Sequence, residues 1–230
     1  MRVILTAKPR KKSFLPVEAE SIVPAHFLNE SAAAGLTAWE GNKERKLPDL
    51  FTITREGEAA IAEQVELVLR GDLSRFKRIG EYMEAGTIVV EGDIGMHCGN
   101  LMSGGRIEIH GNAEGWLGRE MRGGSILCRG NAGDYAAEYL AGGTVTIHGN
   151  AGDLPGVEMI DGTLVIGGDC TRACGNMTGG VAEIYGTVSQ MIPTFRKKGV
   201  ATRNGARMTV FEGDIANRGK GTLFIRDYTY

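Results

Sequence analysis

The chain has 230 residues, 42% hydrophobic and 23% charged, enough for a substantial core and one or two domains. A formal net charge of -2 and a pI near 6.1 give no global pull toward nucleic acid or anionic lipid. The opening MRVILTAKPRKKSFL has too short an apolar run for a signal peptide, and no segment approaches the roughly 18 apolar residues needed to span a bilayer. A cytoplasmic protein with neither nucleic-acid nor membrane partners is expected.

Residues 1–64 show no trace of the periodicity that follows, and form an expected non-repetitive arm covering one end of the fold. Val3, Ile4 and Leu5 suit a short strand, and Pro9, Pro16 and Pro24 punctuate an extended path. The turn at Pro48-Asp49, followed by the alternation Phe51, Ile53, suits another strand, and Glu58 to Gln64 a short turn or helix. The basic cluster Lys8, Arg10, Lys11, Lys12 reads as solvated surface.

From Val65 to Ser189 the chain repeats itself. The copies VELVLRGD, GTIVVEGD, GRIEIHGN, GSILCRGN, GTVTIHGN, GTLVIGGD and GVAEIYGT are anchored on Gly71, Gly92, Gly111, Gly130, Gly149, Gly168 and Gly186, with spacings of 21, 19, 19, 19, 19 and 18. This periodicity places most of the 35 glycines in an ordered array of turns and marks a solenoid. Leu67, Ile88, Ile107, Ile126, Val145, Leu164 and Ala182 lie four residues before the anchors. Leu69, Val90, Ile109, Cys128, Ile147, Ile166 and Ile184 lie two before, which puts both columns on one face of a strand. The residue after each of the first six anchors is Asp or Asn, expected to tolerate left-handed backbone and to bond its local backbone at a corner. A second glycine recurs at Gly80, Gly99, Gly118, Gly156 and Gly175, with Ala137 as the one departure. Met83, Met102, Met121, Leu140, Met159 and Met177 form a further apolar column, read as core.

The pattern lacks the Leu-x-x-Leu-x-Leu and Asn ladder of leucine-rich repeats, the hexapeptides of left-handed helices and the nonapeptides of calcium-binding ones. The expected fold is all-β, a right-handed parallel β-helix of about seven coils over residues 65–192, on the order of 30 to 35 Å long. The segment 193–230 is expected to cap it. Its strand-like runs Arg207 to Phe211 and Thr222 to Ile225 either continue the stack imperfectly or form a separate cap.

Column placement argues against chemistry in the chain. His110 and His148 share an outward column but lie two coils apart with Arg129 between, which disfavours a shared metal. Cys98 and Cys174 share a column four coils apart, too far for a disulfide. Cys170 and Cys174 have no metal-cluster spacing, and the four cysteines read as reduced, buried thiols. No catalytic, cofactor-binding or metal residue is assigned.

The stretches GDIGMHCGNLMSGGRIEIHGNAEGWLGREMRGGSI and FKRIGEYMEAGTIVVEGD, together with LPVEAESIVP in the arm and SQMIPTFRKKGV in the tail, resemble the C subunit of formylmethanofuran dehydrogenase. The same family includes the C subunit of the bacterial formyltransferase/hydrolase complex. A related β-helix ends the large subunit of glutamate synthase, but that similarity is confined to the repeats. The resemblance implies a β-helix without its own active site that joins A, B and D type subunits. Zinc, methanofuran and, in the dehydrogenase, a molybdenum or tungsten pterin then belong to those partners. The weak divergence at Tyr135 to Gly143 leans toward the bacterial complex. Two other readings stay open: an acyltransferase in its own right, and a glutamate-synthase-like module. For partner contact the sequence offers Arg75, Phe76, Lys77 and Arg78, in the longest coil, and Phe195, Arg196, Lys197 and Lys198, after the last.

Overall fold

The computed structural model describes residues 1–10 and 15–230. Lys11 and Lys12 of the basic cluster lie outside the described residues. The first 64 residues supply β1 (Arg2–Ala7), β2 (Val17–Glu18), the six-residue α1 (Glu30–Gly35), β3 (Thr37–Glu40), β4 (Lys43–Lys46), the single turn α2 (Leu47–Leu50) and β5 (Phe51–Glu56). A 3-10 turn at Ala62–Gln64 then leads into the repeats.

The repeats supply β6 (Glu66–Arg70), β7 (Phe76–Lys77), β8 (Thr87–Glu91), β9 (Arg106–Ile109), β10 (Arg122–Cys128), β11 (Ala141–Ile147), β12 (Asp161–Ile166), β13 (Cys170–Thr171) and β14 (Val181–Ser189). The main strands pair in parallel and in sequence order, each with the equivalent residue one repeat away: Leu67 opposite Ile88, Ile88 opposite Ile107, Ile107 opposite Ile126. Both inward columns are buried, as the two-residue spacing requires.

The parallel stack is longer than its repeats. β1 pairs in parallel with β6, setting Val3 opposite Leu67 and Leu5 opposite Leu69. After β15 (Arg196–Arg203) and β16 (Ala206–Gly213), β17 (Gly221–Tyr228) pairs in parallel with β14, setting Leu223 opposite Ala182 and Ile225 opposite Ile184. Nine parallel rungs therefore share one pair of apolar columns, although residues 1–64 carry none of the repeat's glycines. A terminal rung needs only its two inward apolar residues; the corner chemistry is required where the chain must climb to a further repeat. The sheet is mixed, because β5 pairs antiparallel with β1 at one end and β15, β16 and β17 form an antiparallel meander at the other. The run Thr222 to Ile225 thus continues the stack, and Arg207 to Phe211 belongs to the meander.

The corners differ from expectation. The Asn and Asp after each anchor do not adopt left-handed backbone. Asp72 does bond its local backbone, accepting the Ser74 N–H at 3.1 Å, but from Asp93 on each reaches across to the next repeat: Asp93 Oδ1 accepts the backbone N–H of Asn112 at 2.7 Å, Asn112 that of Asn131 at 2.8 Å, Asn131 that of Asn150 at 2.8 Å, and Asn150 that of Asp169 at 2.8 Å. Asp169 ends the row on Thr187 N–H at 2.7 Å. An Asx ladder is therefore present. It explains the anchoring glycines from Gly111 to Gly186, since a Cβ on Gly130 would stand 2.6 Å from Asn112 Oδ1 and 2.6 Å from the Gly111 carbonyl oxygen, whereas Gly71 and Gly92 have positive φ, +94° and +132°. Close approach, not left-handed freedom, demands glycine there.

On the opposite side of each repeat the backbone turns left-handed at side-chain-bearing residues, including His97, Trp116, Tyr135 and Ala137. The last repeat is one residue short, with Asp153 paired to Thr171 across 18 positions. That slip moves Cys174, with φ +59°, into the glycine column in place of Gly175. Cys98 and Cys174 consequently do not share a column.

The methionine column is core: Met83, Met102, Met121, Met159 and Met177 are all buried. The methyl groups of Met102 and Met121 fill the space where Gly124 and Gly143, in the following repeats, lack a side chain. A Cβ there would lie 2.8 and 2.7 Å from the respective Cε.

The ladder can be tested by unfolding in urea. Asn131→Ala removes one cross-repeat bond at the surface and should cost about 1 kcal/mol. Gly130→Ala should cost more, about 1–3 kcal/mol. Adding Asn112→Ala to Gly130→Ala should rescue only part of the loss, because the Gly111 carbonyl still blocks the new methyl.

Candidate partner-binding surface

The expected contact residues divide by burial. Phe76 is buried on β7, its ring 4.9 Å from that of Phe51, with the Arg10 guanidinium 5.7 Å above its face. β7 pairs with β2, so Arg75 to Lys77 are overlaid by the arm, and the Arg75 carbonyl accepts Val17 N–H at 2.9 Å. Lys77 faces Glu18 at 3.9 Å, and Arg78 Nε binds the buried Glu81 at 2.9 Å. Phe195 is buried too, beneath Gly213. Neither phenylalanine offers a ring to a partner, because both aromatic groups are consumed by the packing of the flanks onto the stack. Arg75, Arg196, Lys197 and Lys198 are exposed to solvent, whereas Lys77 and Arg78 are half-buried. In the amino-terminal cluster, Lys8 donates to the Pro48 carbonyl and Arg10 binds Glu40 at 2.7 Å, which ties both inside the arm.

A surface that the columns did not disclose lies along the left-handed side of the repeats. Left-handed backbone turns these side chains outward, and the one-repeat spacing stacks them: the His97 and Trp116 rings are 5.0 Å apart and 15° from parallel, and the Trp116 and Tyr135 rings 5.4 Å and 8°. Each such pair is worth about 0.5–1.5 kcal/mol beyond its burial. Beside this row, Arg119 Nε donates to Glu138 at 2.6 Å and its guanidinium lies 5.9 Å from the Tyr139 ring. A cleft between Arg119, Arg122, Tyr139 and Ile160 adjoins it. One repeat earlier, Asn100 donates to buried Glu81 at 2.6 Å, with its own carbonyl oxygen left without a partner. The signal was available, since His97, Trp116 and Tyr135 are spaced by 19 residues.

The outer face of the strands carries charge instead. Arg70 pairs with Glu91 at 2.8 Å, and Glu108 accepts from Arg129 at 2.6 Å and Arg106 at 2.9 Å and contacts His110 at 3.1 Å. The Arg129 and Arg106 hydrogen bonds hold the Glu108 carboxyl down at about 2. His110 thus faces a carboxylate and cations, and among the described residues no group of three or more side chains suited to a metal occurs. All four cysteines are free and buried; burial pushes the Cys98 and Cys170 thiols up to about 12. No helix is long and apolar enough to cross a membrane.

Among curated proteins, the C subunit of the molybdenum-containing formylmethanofuran dehydrogenase 1 of Methanosarcina barkeri is 40% identical over 91 residues, 39% of this chain and 30% of that protein. The C subunit of the tungsten-containing formylmethanofuran dehydrogenase 2 of Methanothermobacter wolfeii is 36% identical over 100 residues, 42% of this chain and 36% of that protein. Over these stretches the chain is similar to the C subunit of formylmethanofuran dehydrogenase. The matched stretch spans about a third of the length of these relatives, and covers less of this chain than the likeness of its flanks suggested. No family model matches. Among solved structures, one chain of the formyltransferase/hydrolase complex of Methylorubrum extorquens, crystallised with methylofuran, superposes with a TM-score of 0.74 at 22% identity, covering 96% of this chain and 98% of that one. The shared fold thus takes in both flanks.

Native protein treated with a thiol reagent at pH 8 should show no fast-reacting thiol, and denatured protein all four. Burial, with Arg78 and Arg119 nearby, holds the His97 imidazole below the ordinary histidine range. The fold therefore favours the neutral ring, and stability should fall as pH drops below the unfolded value of about 6.5. In a Trp39→Phe background, Trp116 fluorescence should report this titration with a midpoint below about 6.5, and His97→Asn should abolish it.

Proposed function

We propose that this chain is the C subunit of a one-carbon complex acting on formylmethanofuran, and that it holds catalytic subunits without itself turning over substrate. In this reading residues 65–192 form a right-handed parallel β-helix of about seven coils, 1–64 an arm over one end and 193–230 a cap over the other. The partners are A, B and D type subunits, which carry the zinc, the methanofuran and any molybdenum or tungsten pterin. The supporting observation is the likeness over nearly the whole of both chains to a component of the formyltransferase/hydrolase complex. On that likeness we favour this complex over the redox dehydrogenase. The bacterial-type complex would interconvert formyl-tetrahydromethanopterin and formate.

The chain purified alone should show no formyl transfer or hydrolysis, and its deletion should dissociate the remaining subunits. A complex that assembles and turns over normally without it would refute the scaffold role. Replacing His110 and His148 with Gln in the assembled complex should leave turnover unchanged. Native mass spectrometry with metal analysis separates the two complexes, since stoichiometric molybdenum or tungsten would favour the dehydrogenase.

A further inference from the structure

The carboxyl-terminal meander ends on a strand that the chain leaves open. β15 has β16 on one side and no neighbour on the other among the described residues, and it is the terminal strand of the 13-stranded sheet. Seven of its eight residues, RKKGVATR, are exposed, and the eighth, Ala201, is half-buried. Val200 is 52% exposed. Natural edge strands are usually kept short, covered or charged, since an open row of N–H and C=O groups recruits other strands. This edge is long and uncovered among the described residues; its protections are a bulge at Lys198 and its positive charge.

That charge is local. Residues 193–230 carry eight Lys and Arg against three Asp and Glu, whereas the whole chain carries 26 against 28. The tail is therefore a basic end on an acidic body. Lys198 is engaged by Glu212 at 2.9 Å, and Arg203 covers the Phe224 ring at 4.1 Å. The side chains of Arg196 and Lys197 make no hydrogen bond or ion pair among the described residues. A second copy of this strand would bring like charges face to face and is rejected on that ground, while an extended segment of opposite charge finds both free cations and free backbone groups.

We infer that β15 is a strand-addition site for an acidic extended segment of a partner protein in the same complex, with the backbone of residues 196–203 supplying affinity and Arg196 and Lys197 supplying selectivity. The inference rests on the proposed role in assembly and names the edge that role would use.

The test is hydrogen–deuterium exchange on the full chain alone and in the complex purified from its native source, with chemical cross-linking from Lys197. On assembly, amides in 196–203 should slow by roughly tenfold or more, and Lys197 should cross-link to a segment rich in Asp and Glu. Arg196→Glu with Lys197→Glu should lower the unfolding midpoint of the free chain only slightly, since position 196 stands opposite Glu212, and weaken association by roughly tenfold or more, with the loss shrinking as salt is raised. A complex in which these amides exchange as in the free chain would overturn the strand-addition site while leaving the assembly role intact. Association unaffected by the double reversal would remove the charge selectivity. A chain that purifies without partners would overturn both.

Discussion

Everything in this structure depends on how closely one repeat can lie on the next. Parallel rungs stacked at roughly 4.8 Å leave no room for a Cβ where a corner of one repeat faces the side-chain amide of the repeat before it. Asn112, Asn131 and Asn150 exploit that proximity, each accepting the backbone N–H of its successor. Glycine and Asx are thus two halves of one contact: the first opens the space and the second fills it with a hydrogen bond. The apolar columns then fall into register, because the corner fixes the rise per repeat, and their burial supplies the bulk of the driving force.

The columns were legible in the sequence because period 2 within a strand and period 19 between repeats are both visible without knowing the fold. What lay outside that grammar was read less well. Val3 and Leu5 belong to the same columns, yet no glycine announces them, since a terminal rung needs no onward corner. The Asn and Asp side chains were assigned to their own backbone, whereas the bond runs to a residue 19 positions on, a choice only the stacking distance decides. Phe76 and Phe195 were offered as partner contacts, but sequence could not show that the arm and the tail fold back over them. The aromatic row of His97, Trp116 and Tyr135 carried a visible period and was missed because left-handed residues were sought among glycine, Asn and Asp alone.

The surfaces sort by the backbone that presents them. Extended strands point alternate residues outward and carry cross-repeat ion pairs such as Arg70 with Glu91 and Arg129 with Glu108. Left-handed corners present rings stacked parallel to one another. The meander at the carboxyl-terminal end presents backbone itself. A single chain thereby displays a charged face, an aromatic face and an open edge, all held by one stack, which suits the proposed role in assembly.

The position of the methionines has a chemical side of its own. Each buried thioether methyl occupies the volume that a glycine in a following repeat vacates, so the sulfur sits where the fold has no slack. One added oxygen would be both larger and polar, and it would need a hydrogen-bond partner in an apolar column. While the stack is closed, its methionines are shielded from oxidants; in a chain still being made they are not. A methionine sulfoxide acquired before closure would hold two successive repeats apart, so the column ties completion of the fold to the redox history of the unfolded chain.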